Sequence, residues 1–291
     1  MQPDALAHAR RCFESGDFAT AERLCDDALQ HDAQDAPALH LMGVLCLKRN
    51  QSEPAAEFLQ QAVAADGNNG EMLNHLGVAL AGVGKSQEAI ASLEQAVAAS
   101  PQSGDIHFNL GNALRESGRL EEAAARYRSA LERNPRSAEA HFNLGNTLRD
   151  LHRLDEAVSS YRAALAIRPE YVKAHVNLGN ALRDQGRFQE AEACQREALQ
   201  CKPGHAQAYH NLGSLASLQG RLEEAEAHYR EALRLRPGFE APLAGLGKVL
   251  VRQEKLDEAV ELMRSATDIG EEVADANMTL ANELRGQGRL D

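Results

Sequence analysis

Asparagine recurs in this 291-residue chain at a fixed interval. Asn109, Asn143, Asn177 and Asn211 stand 34 residues apart, and Asn112, Asn146 and Asn180 follow the first three by three places. A side-chain amide offers both a donor and an acceptor and carries no charge to desolvate. A ladder of amides, one per interval, suits pairing with successive peptide groups of an extended ligand. The same amides could instead bond a neighbouring helix or stand in solvent. Arg115, Arg149 and Arg183 keep the interval, and each is followed by an acid: Glu116, Asp150 and Asp184. These arginines could meet acidic groups of a ligand, or adjacent repeats could pair these charges with one another across the surface for little gain. Phe108 and Phe142 stand directly before the first two asparagines.

Histidine and cysteine raise the question of a metal. His107, His141 and His175 also repeat at 34 residues. Equivalent positions on packed neighbouring helices lie about 8–10 Å apart, whereas each metal–nitrogen bond spans only ~2 Å, so one ion does not bridge them. Cys194, Cys201, His205 and His210 cluster in sequence with spacings that match no metal site. No metal and no cofactor are expected. No Gly-rich phosphate loop, nucleophile elbow or paired-carboxylate pattern stands out, so no enzymatic activity is expected of this chain.

The elements that must position these residues come from the interval itself. One register gives eight gapless units, 2–35, 36–69, 70–103, 104–137, 138–171, 172–205, 206–239 and 240–273, with a partial ninth over 274–291. Numbering each unit from 1 to 34, positions 20 and 27 are Ala in all eight, from Ala21 and Ala28 to Ala259 and Ala266. Position 8 is Gly in seven, from Gly43 to Gly247, and position 32 is Pro from Pro101 to Pro237 in five. Positions 3 to 14 carry a helical period. Gly118, Gly186 and Gly220 at position 15 can take the left-handed conformation that ends a helix. A second helix opens on acids such as Glu121, Glu122, Asp155 and Glu156, which complement a helix N-terminus, and Pro at position 32 stops it. Cys12, Cys25 and Cys46 fall at core positions. Two helices alone cannot bury their apolar faces, so neighbouring units must stack.

These residues at this spacing resemble the tetratricopeptide repeat family over essentially the whole chain. The resemblance implies an all-α, right-handed superhelical solenoid of stacked helix-turn-helix units forming a single array, with at least sixteen helices. Positions 2, 5, 6, 9, 12 and 13 share an arc of the first helix about 120° wide, and the family implies that this arc lines a concave groove. The candidate peptide-binding residues are therefore Asn109, Asn112, Asn143, Asn146, Asn177, Asn180, Asn211, Phe108, Phe142, Arg115, Arg149 and Arg183. His107, His141 and His175 occupy the slot the family usually gives to Trp. Some family members clamp a C-terminal carboxylate with basic residues at positions 5, 2 and 6. Here position 6 is never Lys or Arg, and Lys173 is the only basic residue at position 2, so that clamp is incomplete.

The expected function is a protein–protein interaction scaffold that holds an extended peptide. The middle repeats are also similar to the repeat domain of the O-linked N-acetylglucosamine transferases. The alternative is thus the substrate-recognition region of a larger, glycosyltransferase-like enzyme with its catalytic domain beyond residue 291. A net charge of −12 argues against non-specific nucleic-acid and anionic-membrane partners, which call for a basic surface. Five scattered cysteines read as reduced thiols, and no signal peptide or apolar run of membrane length is visible, which points to the cytoplasm. In the partial ninth unit, Leu280, Leu284 and Leu290 would leave an apolar face open, so self-association through that end is an expectation too.

Overall fold

Helix starts keep the sequence interval. The computed structural model describes residues 3–264 and 271–286, and within them every regular element is an α-helix, seventeen in all. After α1 (Pro3–Glu14) and α2 (Phe18–His31) come α3 (Ala36–Lys48), α4 (Ser52–Ala65), α5 (Gly70–Gly82), α6 (Ser86–Ala99), α7 (Gly104–Glu116), α8 (Leu120–Arg133) and α9 (Ala138–Asp150). Then follow α10 (Leu154–Ile167), α11 (Val172–Asp184), α12 (Phe188–Cys201), α13 (Ala206–Leu218), α14 (Leu222–Leu235), α15 (Glu240–Arg252), α16 (Leu256–Arg264) and α17 (Glu271–Gly286). The chain divides into two compact units, one ending at Leu151 and the other beginning at His152. Each is an all-α stack of helical hairpins.

Capping chemistry sets these boundaries. Before α3, α5, α7 and α9 stand Asp35, Asn69, Ser103 and Ser137, whose side chains accept from amides in the first turn. Such a cap satisfies one of the donors that a helix start leaves unpaired. At position 15 the backbone turns left-handed in all eight repeats: Gly16, Gly84, Gly118, Gly186 and Gly220 have φ of +74° to +84°, and Asn50, His152 and Glu254 have φ of 58° to 61°. The second helix ends two residues before Pro101, Pro135, Pro169, Pro203 and Pro237. The intervening residue is non-helical, as Ser100 is at φ −140° and ψ 67°, a conformation that the following proline ring favours over helix.

The core explains the invariant small residues. All eight alanines at position 20 are fully buried. The glycine at position 8 leaves space that the side chain at position 24 of the same repeat fills. A Cβ on Gly43 would stand 2.4 Å from Leu59 Cγ, one on Gly111 would stand 2.7 Å from Tyr127 Cε1, and one on Gly213 2.7 Å from Tyr229 Cδ1. Real atoms do not approach so closely, so anything larger than glycine forces the second helix away. Cys12, Cys25 and Cys46 are buried, free thiols, as their positions implied.

The partial ninth unit departs from expectation. Leu280 and Leu284 do not form an open face: they are 6% and 8% exposed and join Leu246, Leu250, Met263 and Val273 in one apolar cluster. The large exposed apolar side chain of α17 is Met278. Leu290 lies outside the described residues.

Candidate functional site

In the first unit, position 6 on the first helix of a repeat meets position 5 or 9 of the repeat before it. Asn109 Nδ2 on α7 donates to Asn74 Oδ1 on α5 at 2.9 Å, a separation of 35 residues. Asn143 Nδ2 on α9 donates to Asn112 Oδ1 on α7 at 3.0 Å, a separation of 31. Positions 5 and 9 lie one helical turn apart on the same face, so one incoming amide can reach either. Asn112 Oδ1 also accepts from the Tyr127 hydroxyl at 2.7 Å. Burial pushes that phenol up to about 12, so it stays a donor. Asn109 and Asn143 thus bond neighbouring helices, one of the expected alternatives, while Asn109 and Asn112 also line open surface.

That surface holds two adjoining cavities in the first unit. The larger, about 420 Å³, is lined by residues including Asn74, His75, Asp105, Phe108, Asn109 and Glu139. The smaller, about 280 Å³, is lined by Val78, Asn109, Asn112, Glu116 and others. Asp105 and Glu139 occupy position 2, as Glu71 does one repeat earlier. The two cavities thus carry acidic side chains, and Asn109 and Asn74 are bonded to one another beside them.

The other sequence candidates fall out unevenly. Phe108 is half-buried, with its ring 5.9 Å from that of Tyr127. Phe142 is 9% exposed and belongs to the core rather than the groove surface. Asn146, Asn177 and Asn180 are half-buried. Asn211 is 3% exposed, with Oδ1 accepting from Gln207 Nε2 at 3.1 Å, so its side chain is not presented for contact. Arg149 and Arg183 pair with their own sequence neighbours Asp150 and Asp184, at 3.6 and 3.0 Å. The Arg115 Nε is buried without a partner among the described residues. The pairing expected between adjacent repeats is found, for Arg149 and Arg183, between consecutive residues of one helix instead.

His107, His141 and His175 tie each hairpin to the next. Their Nε2 atoms donate to the carbonyls of Pro101, Pro135 and Pro169, at 3.0, 3.1 and 2.7 Å. Cys194, Cys201, His205 and His210 form no group able to hold one ion. His40, Glu71 and His75 do: one ligand atom from each lies within 4.8 Å of the others. Neither equal repeat positions nor closeness in sequence points to this trio. His40 is at position 5 and His75 at position 6 of the next repeat, the same 35-residue diagonal as Asn74 and Asn109. Their Nε2 and Nδ1 atoms are 2.8 Å apart. Burial, then the neighbouring His75, pushes His40 down to about 4, and burial lowers His75 as well.

Among the described residues no helix is long and apolar enough to cross a membrane. Family models described as tetratricopeptide repeat match residues 13–76, 74–138, 108–172, 170–237 and 216–283. No curated protein matches the chain. Among solved structures, YrrB, a TPR protein with an unusual peptide-binding site, is 25% identical, covering 64% of this chain and 96% of its own, with a TM-score of 0.56. MamA is 25% identical over 56% of this chain and 95% of its own, with a TM-score of 0.53. PilF of Pseudomonas aeruginosa is 20% identical over 72% and 97%, with a TM-score of 0.62, a likeness of fold alone.

Proposed function

Since the chain belongs to the tetratricopeptide repeat family and so is a scaffold for protein interaction, we propose that its first unit binds an extended peptide carrying basic side chains. The observation that carries this reading is the roughly 420 Å³ cavity in which Asn74 and Asn109 sit beside Asp105 and Glu139. The Asn109–Asn74 bond takes one N–H and one lone pair, and an amide has two of each. The pair therefore has capacity for a peptide group while its geometry is already fixed, which lowers the ordering cost of binding. Asp105 and Glu139 supply the charge partner for Lys or Arg. Phe108 supplies apolar contact. YrrB supports the class of ligand, being a repeat protein with a peptide-binding site. The division between the two compact units falls inside repeat 138–171, between α9 and α10, which supports reading the chain as one array.

The test is selection of peptides from a random library on the purified chain, followed by affinity measurement with variants. Asn109→Ala should weaken a selected peptide by about 1 kcal/mol, and more if a peptide group is left buried and unpaired. Asp105→Asn with Glu139→Gln should weaken it further and flatten its dependence on salt. Peptides without basic residues, or affinities untouched in folded variants, would remove the groove from consideration.

A further inference from the structure

We propose that His40, Glu71 and His75 bind one divalent transition-metal ion, with zinc(II) the expected occupant. Glu71 and His75 are i and i+4 on α5 and so share a face of one helix. His40 comes from α3, the equivalent helix of the preceding repeat. Such a ligand set, two residues from one helix and a third from its neighbour, fixes a metal without demanding a loop.

The distances suit an ion. Zinc–nitrogen bonds near 2.0–2.1 Å place two nitrogens of a tetrahedron roughly 3.4 Å apart. The two imidazole nitrogens stand at 2.8 Å, so each ring need withdraw by only a few tenths of an ångström. The carboxylate has further to travel, and Glu71 is exposed and can swing inward. Two imidazoles with one carboxylate favour zinc and its first-row neighbours over magnesium or calcium, which take oxygen. The ion takes the place of the single proton between the two rings; both rings stay neutral, since the one that gives up that proton takes one from solvent on its other nitrogen, and no net proton is released. Three protein ligands leave a tetrahedral position open. His75 also lines the larger cavity, so that position is completed from the groove side, by water or by a carboxylate or imidazole of whatever occupies the groove. The site stands whether or not the peptide reading does.

The experiment uses the tag-free full chain, stripped with a chelator. It carries Cys194→Ser and Cys201→Ser, since these half-buried and exposed thiols could take zinc elsewhere. Calorimetric titration with zinc(II) and optical titration with cobalt(II) should each give one equivalent. Loss of a residue that only supports a ligand costs ~10- to 100-fold in affinity, so loss of a ligand, in His75→Gln, should cost more than about 100-fold. Glu71→Gln, at an exposed position where misfolding is not an issue, should weaken binding at least about tenfold. The imidazole ¹⁵N resonances of His40 and His75 should shift on binding. Absence of saturable binding, or binding that both variants leave unchanged, overturns the assignment.

Discussion

In the first unit Asn109 and Asn143 each donate to an amide on the first helix of the preceding repeat, and Tyr127 donates into the same network. In the second unit comparable residue types are buried with atoms left over. Asn211 Nδ2, His210 Nδ1 and Gln195 Oε1 are buried with no hydrogen-bond partner among the described residues. The contrast is sharpest at position 24. Tyr127 fills the space over Gly111 and reaches Asn112, while Gln195 fills the space over Gly179 and its Nε2 donates to the Val176 carbonyl at 3.1 Å. One architecture thus tolerates a satisfied amide network and an unsatisfied one, although outside that network the first unit too leaves His107 Nδ1 and Arg115 Nε without a partner among the described residues. Small invariant residues set the helix spacing, and the polar residues are layered onto it.

Breaking the satisfied side should have the largest effect. Tyr127→Ala removes a fully buried ring from between two helices and should cost ~3–5 kcal/mol in urea unfolding. Tyr127→Phe keeps the ring, loses only the bond to Asn112, and should cost about 1 kcal/mol. Equal losses in the two variants would mean that the hydroxyl, not the packing, holds the repeat.

The second unit should respond to acid. Burial, aided by Arg183 and Arg236, pushes His210 down to about 4, well below its ordinary 6.5. The folded state therefore holds it neutral where the unfolded chain binds a proton. Its contribution is fully present above pH 6.5 and is lost as the pH falls toward 4, at no more than about 1.4 kcal/mol per pH unit. His210→Phe, which can pack on Tyr229 and Phe239 as the imidazole does, should make the loss of stability across that window shallower. An unchanged slope would take His210 out of the account.

Converting the unsatisfied side into the apolar form should help. Leu59 and Leu93 hold position 24 in two repeats of the first unit. Gln195→Leu removes a buried acceptor without a partner and should raise stability by about 1 kcal/mol. A loss on that substitution would show that the Val176 bond outweighs the orphaned oxygen.

The smallest effect belongs to the turn at position 15. Asn50 in the first unit and Glu254 in the second share a left-handed backbone, which asparagine tolerates and glutamate does not. Glu254→Gly should gain ~1 kcal/mol or slightly less, and Asn50→Gly a smaller amount. Thermal midpoints that rise equally would remove the distinction.

The fold was legible because the interval of 34 fixes every helix start at once, and because Ala at 20 and Gly at 8 report close approach directly. The site was legible in part. A helical wheel assigns an arc to position 6 but says nothing of what covers it. Asn109 faces a cavity while Asn211, at the same position, is sealed. Phe142 is buried although Phe108, one repeat earlier, lines the cavity. The His40–His75 pair was hidden because alignment by equal positions separates residues that pack on a diagonal. Leu280 and Leu284 were misjudged for the converse reason, since the preceding repeat covers them without help from a further helix.

The diagonal of 35 residues bears on how such a chain can be inherited. Each pair proposed above to bind a ligand, Asn74 with Asn109 or His40 with His75, is divided between two successive repeats, so no single repeat carries either one. Duplication of one 34-residue segment preserves the backbone register everywhere, yet it creates a new junction in which the copy meets itself. An extra repeat inserted between 36–69 and 70–103 would leave every helix intact and part His40 from His75. New recognition chemistry in such a chain arises from the order of the repeats, before any residue has changed.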